Sequence, residues 1–148
     1  MLRAEVNGLS VAYERTGGGP VLVLLHGFLL DSRMWRPQLE SLSDHFTVIA
    51  WDAPGAGQSS DPPETFGIGD WADCLAGLLD AAGVQRAHIL GLSWGGLLAQ
   101  EFAQGRLHND DGGGPASDPD EVGRRRGAVD SPEDHHQRDG GTDLVAVR

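Results

Sequence analysis

Three unbroken apolar runs punctuate the first hundred residues. V-L-V-L-L (21–25), F-T-V-I-A-W (46–51) and A-H-I-L-G-L (87–92) hold few polar residues. That is the pattern of strands buried on both faces. Between them the period changes. Met34, Trp35, Leu39 and Leu42 keep helical spacing from Ser32 to Leu42, with Asp31 or Ser32 as the cap. Ile68, Trp71, Ala72, Leu75, Leu78, Leu79 and Ala82 form one apolar helix face that Gly83 stops, and Gly95 to Gln104 suits a further helix. Before the first run, Leu2–Val6 and Leu9–Glu14 flank Asn7-Gly8, the strongest short hairpin signal. Strands alternating with helices predict an α/β fold, a doubly wound and mostly parallel sheet covered on both sides.

Composition changes this picture at residue 105. All nine aromatic residues lie at or before Phe102. The last 44 residues hold nine apolar residues against ten acids, six arginines and eight glycines. We therefore expect a globular portion over 1–104 and, over 105–148, a low-complexity tail too polar to repay its ordering entropy, hence disordered. The net charge is −11 and neither portion is basic, which argues against nucleic acid and anionic membranes as partners. No stretch suits a signal peptide or a bilayer span, and the single Cys74 excludes an intrachain disulfide. These features predict a cytoplasmic protein whose lone cysteine is an inert core residue.

In such a sheet, ligands collect at the carboxyl ends of the strands. Three loops there carry marked residues: His26-Gly27-Phe28, D-A-P-G-A-G-Q-S from Asp52 to Ser59, and G-L-S-W-G around Ser93. The last has the form of a nucleophile elbow, a turn tight enough to strain its serine and expose the hydroxyl. Gly91 and Gly95 fit because strand and helix approach too closely there for side chains. The backbone N–H of Trp94 points from the helix start toward the same place, where it can stabilise an oxyanion. His26 reads as a residue that orders its loop by hydrogen bonds, Asp52 as the holder of its own turn through an Asx-type bond, and Ser59 and Ser60 as turn residues.

On these three loops, in this order and spacing, residues 1 to about 104 resemble the α/β-hydrolase family, serine-nucleophile branch. The resemblance implies the first five strands of that fold. It makes Ser93 the catalytic nucleophile and the N–H groups of Phe28 and Trp94 the oxyanion donors, with His26, Gly27, Gly91, Gly95 and Asp52 supporting them. It implies a small-molecule acyl substrate, an ester, lactone or related compound, and neither cofactor nor metal. In the family's dehalogenases a tryptophan after the nucleophile holds halide, but their nucleophile is aspartate; here Trp94 reads as a pocket wall.

A serine needs a histidine to take its proton and a carboxylate to orient that histidine. The resemblance places both after later strands, and nothing beyond Gln104 reads as those strands. Asp118 or Asp120 followed by His135 or His136 satisfies the order with no scaffold to hold them, and His108, His135 and His136 lack the companions of a metal site. All 11 basic residues are arginine, and D-D-G-G-G-P-A read one base later permits T-T-V-V-V-L. We therefore expect a reading frame shifted near residues 104–109, a truncated hydrolase with little turnover, and an open apolar edge on the strand Ala87–Leu92 that makes the chain marginally stable. The alternative function is a catalytically inactive chain.

Overall fold

A computed structural model describes the backbone of residues 1–110 and the side chains of residues 1–105. Five strands, β1 (Leu2–Val6), β2 (Leu9–Gly17), β3 (Val21–Leu25), β4 (Thr47–Trp51) and β5 (His88–Gly91), form one mixed sheet in the order β1-β2-β4-β3-β5. Only β2 runs against the others: it pairs antiparallel with β1 and β4, while β3 pairs parallel with β4 and β5. The hairpin at Asn7-Gly8 places both residues at positive φ, 51° and 80°, as a primed two-residue turn requires.

The apolar runs are continuous because both faces of the parallel strands are covered. Val23, Leu25, Ile49, Trp51 and Ile89 face helices α2 (Ile68–Ala81) and α3 (Trp94–Asp110). Leu24, Val48 and Ala50 point the other way, onto Trp35 and Leu39. The period of two thus divides one apolar run between two cores. Buried Cys74 sits in the larger core, where burial pushes its thiol up.

Element ends follow local chemistry, with two departures from the sequence pattern. Ser32 to Leu42 is not one helix but a 3₁₀ turn (Ser32–Trp35) followed by α1 (Arg36–Leu42). Pro37 has no N–H to give the carbonyl of Arg33 and its ring crowds that carbonyl, so the helix restarts; the N–H of Arg36 bonds Arg33 instead. Asp31, not Ser32, caps the turn by accepting from the N–H of Arg33 at 3.0 Å. Helix α2 starts where the Asp70 carboxylate accepts from the N–H of Gly67 at 2.7 Å. It ends at Gly83, φ 70°, with the N–H of Val84 donating back to the carbonyl of Leu79 at 2.8 Å. The second departure is α3, which runs through Gly105 to Asp110 instead of stopping at Gln104. Of the tail expected to be disordered over 105–148, residues 105–110 continue α3; the remainder, with Asp118, Asp120, His135, His136 and most of the segment that the shifted frame re-reads, lies outside the described residues. Among the described residues, no helix is long and apolar enough to cross a membrane, and β5 pairs with β3 alone.

Ser59 and Ser60 are more than turn residues. Strand β2 begins pairing with β4 at Tyr13, which leaves the N–H groups of Ser10 and Ala12 with no strand on the β4 side. Ser60 Oγ accepts from Ser10 at 3.0 Å and Ser59 Oγ from Ala12 at 2.8 Å, while the Ser59 hydroxyl donates to the carbonyl of Asp52 at 2.6 Å. The loop after β4 therefore finishes the ladder that β4 leaves incomplete. Ser59→Ala orphans the buried Ala12 N–H, so it is expected to cost about 1–3 kcal/mol, read as a lower urea midpoint with an unchanged slope.

Candidate active site

The chain leaves β3, β4 and β5 through three loops at one end of the sheet. The parallel pairing brings those ends together, with the connection from β3 to β4 on one side of β3 and β5 on the other. Such a switch point leaves a crevice beyond the strand ends.

Ser93 stands in this crevice, between β5 and the start of α3. Its φ is 54°, one of three positive values among the described non-glycine residues. An L side chain in this region costs roughly 1–2 kcal/mol. The turn is held by its neighbours. A Cβ on Gly91 would overlap the carbonyl of Gly95, and one on Gly95 would overlap the carbonyl of Leu25 and come within 2.7 Å of that of His26. Both obstacles are backbone, so neither gives way. The N–H groups of Gly96 and Leu97 donate to the carbonyl of Ser93, at 2.9 and 3.2 Å, and fix the first turn of α3.

The residues marked in the other two loops converge here. Gly27 follows β3, and a Cβ placed on it would lie 3.8 Å from the Cβ of Ser93. Phe28 and Leu29 form the tip of a turn closed by the N–H of Leu30 on the carbonyl of Gly27 at 3.2 Å, with Leu29 at φ 60°. Trp94 is the first residue of α3, where N–H groups have no partner inside the helix. Among the described residues, the N–H groups of Phe28 and Trp94 make no hydrogen bond, and no histidine or carboxylate bonds Ser93 Oγ.

His26 and Asp52 hold the loops rather than face solvent. His26 is 2% exposed. Its Nε2 accepts from the N–H of Ala53 at 3.0 Å, so Nδ1 carries the proton and donates to the carbonyl of Gly27 at 2.9 Å. The ring thus ties the first loop to the second. Asp52 is 1% exposed. It does not make the Asx-type bond of the sequence reading, two residues along. Its Oδ2 accepts from Gln58, closing the whole loop, and its Oδ1 from Ser32 across on the first connection, each at 2.8 Å. A Cβ on Gly57 would strike that carboxylate.

One wall was not marked in the sequence. Trp71, on the first turn of α2, donates its indole N–H to the carbonyl of Pro54 at 3.0 Å. Its ring meets Trp94 edge-on at 5.5 Å and Phe66 at 5.1 Å. Its helical spacing marked it only as core. With His26, Phe28–Asp31, Ala53–Gly57 and Pro62, the rings of Trp71 and Trp94 bound a cleft of about 360 Å³. At its rim the Arg33 guanidinium, 2.7 Å from Asp31, holds that carboxyl below the usual range. Among the described residues, no group of three or more His, Cys, Asp or Glu is placed to hold a metal ion.

Two outcomes follow. Ser93→Gly relieves the left-handed strain, at about 1–2 kcal/mol, against a glycine entropy cost of about 0.5–1 kcal/mol. It should therefore leave the protein at least as stable as Ser93→Ala, compared by urea denaturation. Burial lowers the pKa of His26 from its ordinary 6.5, so the unfolded chain takes up this proton first as the medium is acidified. Stability should fall as pH drops below about 6.5; the difference in urea midpoint between pH 7.5 and 5.5 should shrink in His26→Gln.

The same fold recurs in known proteins. The family model described as alpha/beta hydrolase fold matches residues 20–107, more than half of the chain. The dihydrolipoyllysine-residue acetyltransferase component of the acetoin cleaving system of Cupriavidus necator is 41% identical over 101 residues, 68% of this chain and 27% of that protein. A soluble epoxide hydrolase from Corynebacterium sp. is 36% identical over 101 residues, 68% of this chain and 35% of its own. The structure of a thermophilic esterase from Thermogutta terrifontis superposes with a TM-score of 0.67 at 38% identity, covering 70% of this chain and 41% of that one. The chain thus spans about a third of the length of the curated relatives it matches. By the family model and these relatives together, it belongs to the α/β-hydrolase family.

Proposed function

We propose that this chain carries the nucleophile half of a serine hydrolase acting on an ester, lactone or related acyl bond. Ser93 attacks the carbonyl carbon, and the N–H groups of Phe28 and Trp94 receive the oxyanion. Water then resolves the acyl-enzyme. None of these steps needs a cofactor. The observation that carries the reading is the left-handed Ser93, held at the head of α3 by glycines that backbone atoms crowd. Strain of this kind persists where an exposed side chain is the purpose of the turn.

Chemistry favours an acyl bond over the epoxide of the Corynebacterium relative. A serine that opens an epoxide forms an alkyl ether, which water does not cleave. A serine acylated by an ester or lactone forms an ester, which water does cleave, and an oxyanion arises at each step for the free N–H groups to stabilise. The likeness to the Thermogutta esterase points the same way.

A second reading is a chain that binds substrate without turning it over. It is favoured by Ser93 having no histidine or carboxylate on its hydroxyl among the described residues. A fluorophosphonate probe separates the two. Labelling within minutes, located at Ser93 by peptide mass and abolished in Ser93→Ala, supports an activated nucleophile. Absence of labelling on folded protein favours binding without turnover.

A further inference from the structure

Resting on the acyl-bond reading, we propose that the cleft beside Ser93 selects the uncharged, apolar side of its substrate, and that Trp71 is the fixed surface against which that side packs. Four observations carry this.

The side-chain charges at the cleft are already spent. Asp31 accepts from the Arg33 side chain through both oxygens, at 2.7–3.1 Å, as well as from its backbone N–H. Asp52, behind the loop, gives each oxygen to a backbone N–H. His26 has both nitrogens engaged and is neutral, since burial lowers its pKa. A charged acyl tail entering here would lose water and gain no counter-charge, at the cost of an unpaired buried ion.

What remains on the walls is mostly apolar. Trp71 spends its one polar atom on Pro54 and is braced by Phe66 and Trp94, so its ring is a rigid surface with nothing left to donate. Phe28 and Leu29, which line the same cleft, are 70% and 88% exposed. The left-handed backbone of Leu29 holds this apolar tip outward at the mouth of the cleft.

The size is modest. At about 360 Å³ the cleft lies near the lower end of the roughly 300–1,000 Å³ typical of small-molecule sites. It suits a short acyl chain or a small lactone ring.

The test is a titration of Ser93→Ala, in which binding is read without turnover. Of the four tryptophans, Trp35 and Trp51 are buried while Trp71 and Trp94 line the cleft, so ligand binding reports through tryptophan emission. Methyl hexanoate should shift that emission saturably. Monomethyl adipate, which adds a carboxylate, and methyl 6-(trimethylammonio)hexanoate, which adds a cation, should each bind at least about tenfold more weakly. Adding Trp71→Ala should weaken methyl hexanoate by about tenfold, and Trp71→Phe by less. Should the alanine variant lose its far-UV circular dichroism, Trp71→Phe compared with Phe66→Leu carries the comparison. Either charged ester binding as tightly as the neutral one overturns the proposal; the cation doing so would point to aromatic recognition of a quaternary ammonium. Unchanged affinity in folded Trp71→Ala also overturns it. Failure here is separable from failure of the acyl-bond reading. Fluorophosphonate labelling of Ser93 without saturable methyl hexanoate binding removes the cleft proposal alone. Saturable binding by a chain that is never labelled removes the serine reading alone.

Discussion

The whole site depends on one close approach, that of the residue 95 backbone to the end of β3. A Cβ at Gly95 would collide with the carbonyls of Leu25 and His26, and one at Gly91 would collide with Gly95 itself. Because both are glycines, α3 can begin against β3 and β5 with no side chain between. The connecting residue is then forced into the left-handed region, and it is Ser93 that occupies it. Remove the approach and nothing holds residue 93 in the left-handed region, so the turn relaxes. Strain at one residue is sustained because packing at its neighbours leaves no alternative.

The second organising feature is how the polar groups are shared out. His26 and Asp52 are the most chemically suggestive side chains near the crevice, and both are consumed in holding loops. Between them they tie the residue 27 turn to residue 53, the start of the 3₁₀ turn to the end of β4, and the ends of the 52–58 loop to each other. A buried carboxylate is tolerable because it accepts two backbone N–H bonds, and a buried imidazole because it stays neutral. What they leave unspent are the Ser93 hydroxyl and two backbone N–H groups, in surroundings otherwise apolar. On the proposed reading, hydrogen bonds from those N–H groups to a developing oxyanion gain strength in such surroundings.

Much of this was legible in the chain. Asn7-Gly8 fixed a hairpin by its need for positive φ, the apolar runs gave buried strands, and Gly91-x-Ser93-x-Gly95 named its own turn. Local pattern fell short where a contact reaches across the sequence. Asp52 was read as holding the residues next to it, but its partners lie 6 and 20 residues away. Ser59 and Ser60 looked like turn formers because nothing in the sequence says that β4 stops short of Ser10 and Ala12. Trp71 carried a helical period that placed it in the core, and only the fold shows that its ring also walls the cleft. The break at Pro37 was readable, since a proline there cannot continue the turn before it, yet the apolar spacing ran straight across.

On the proposed serine-hydrolase reading, the described histidines narrow where a base for Ser93 would come from. His45 precedes β4 and His88 opens β5, so both sit at the amino ends of parallel strands, the far end of the sheet from Ser93. His26 is at the right end, but its Nε2 already accepts from Ala53 and its Nδ1 faces Gly27. Recruiting it would break the tie between two loops that shape the site. His108 lies on α3, 15 residues after Ser93, which puts its backbone about 22 Å along the helix at roughly 1.5 Å per residue. On the serine-hydrolase reading we propose, the group that activates Ser93 therefore comes from outside residues 1–110, carried on ordered backbone that can hold the geometry proton transfer demands.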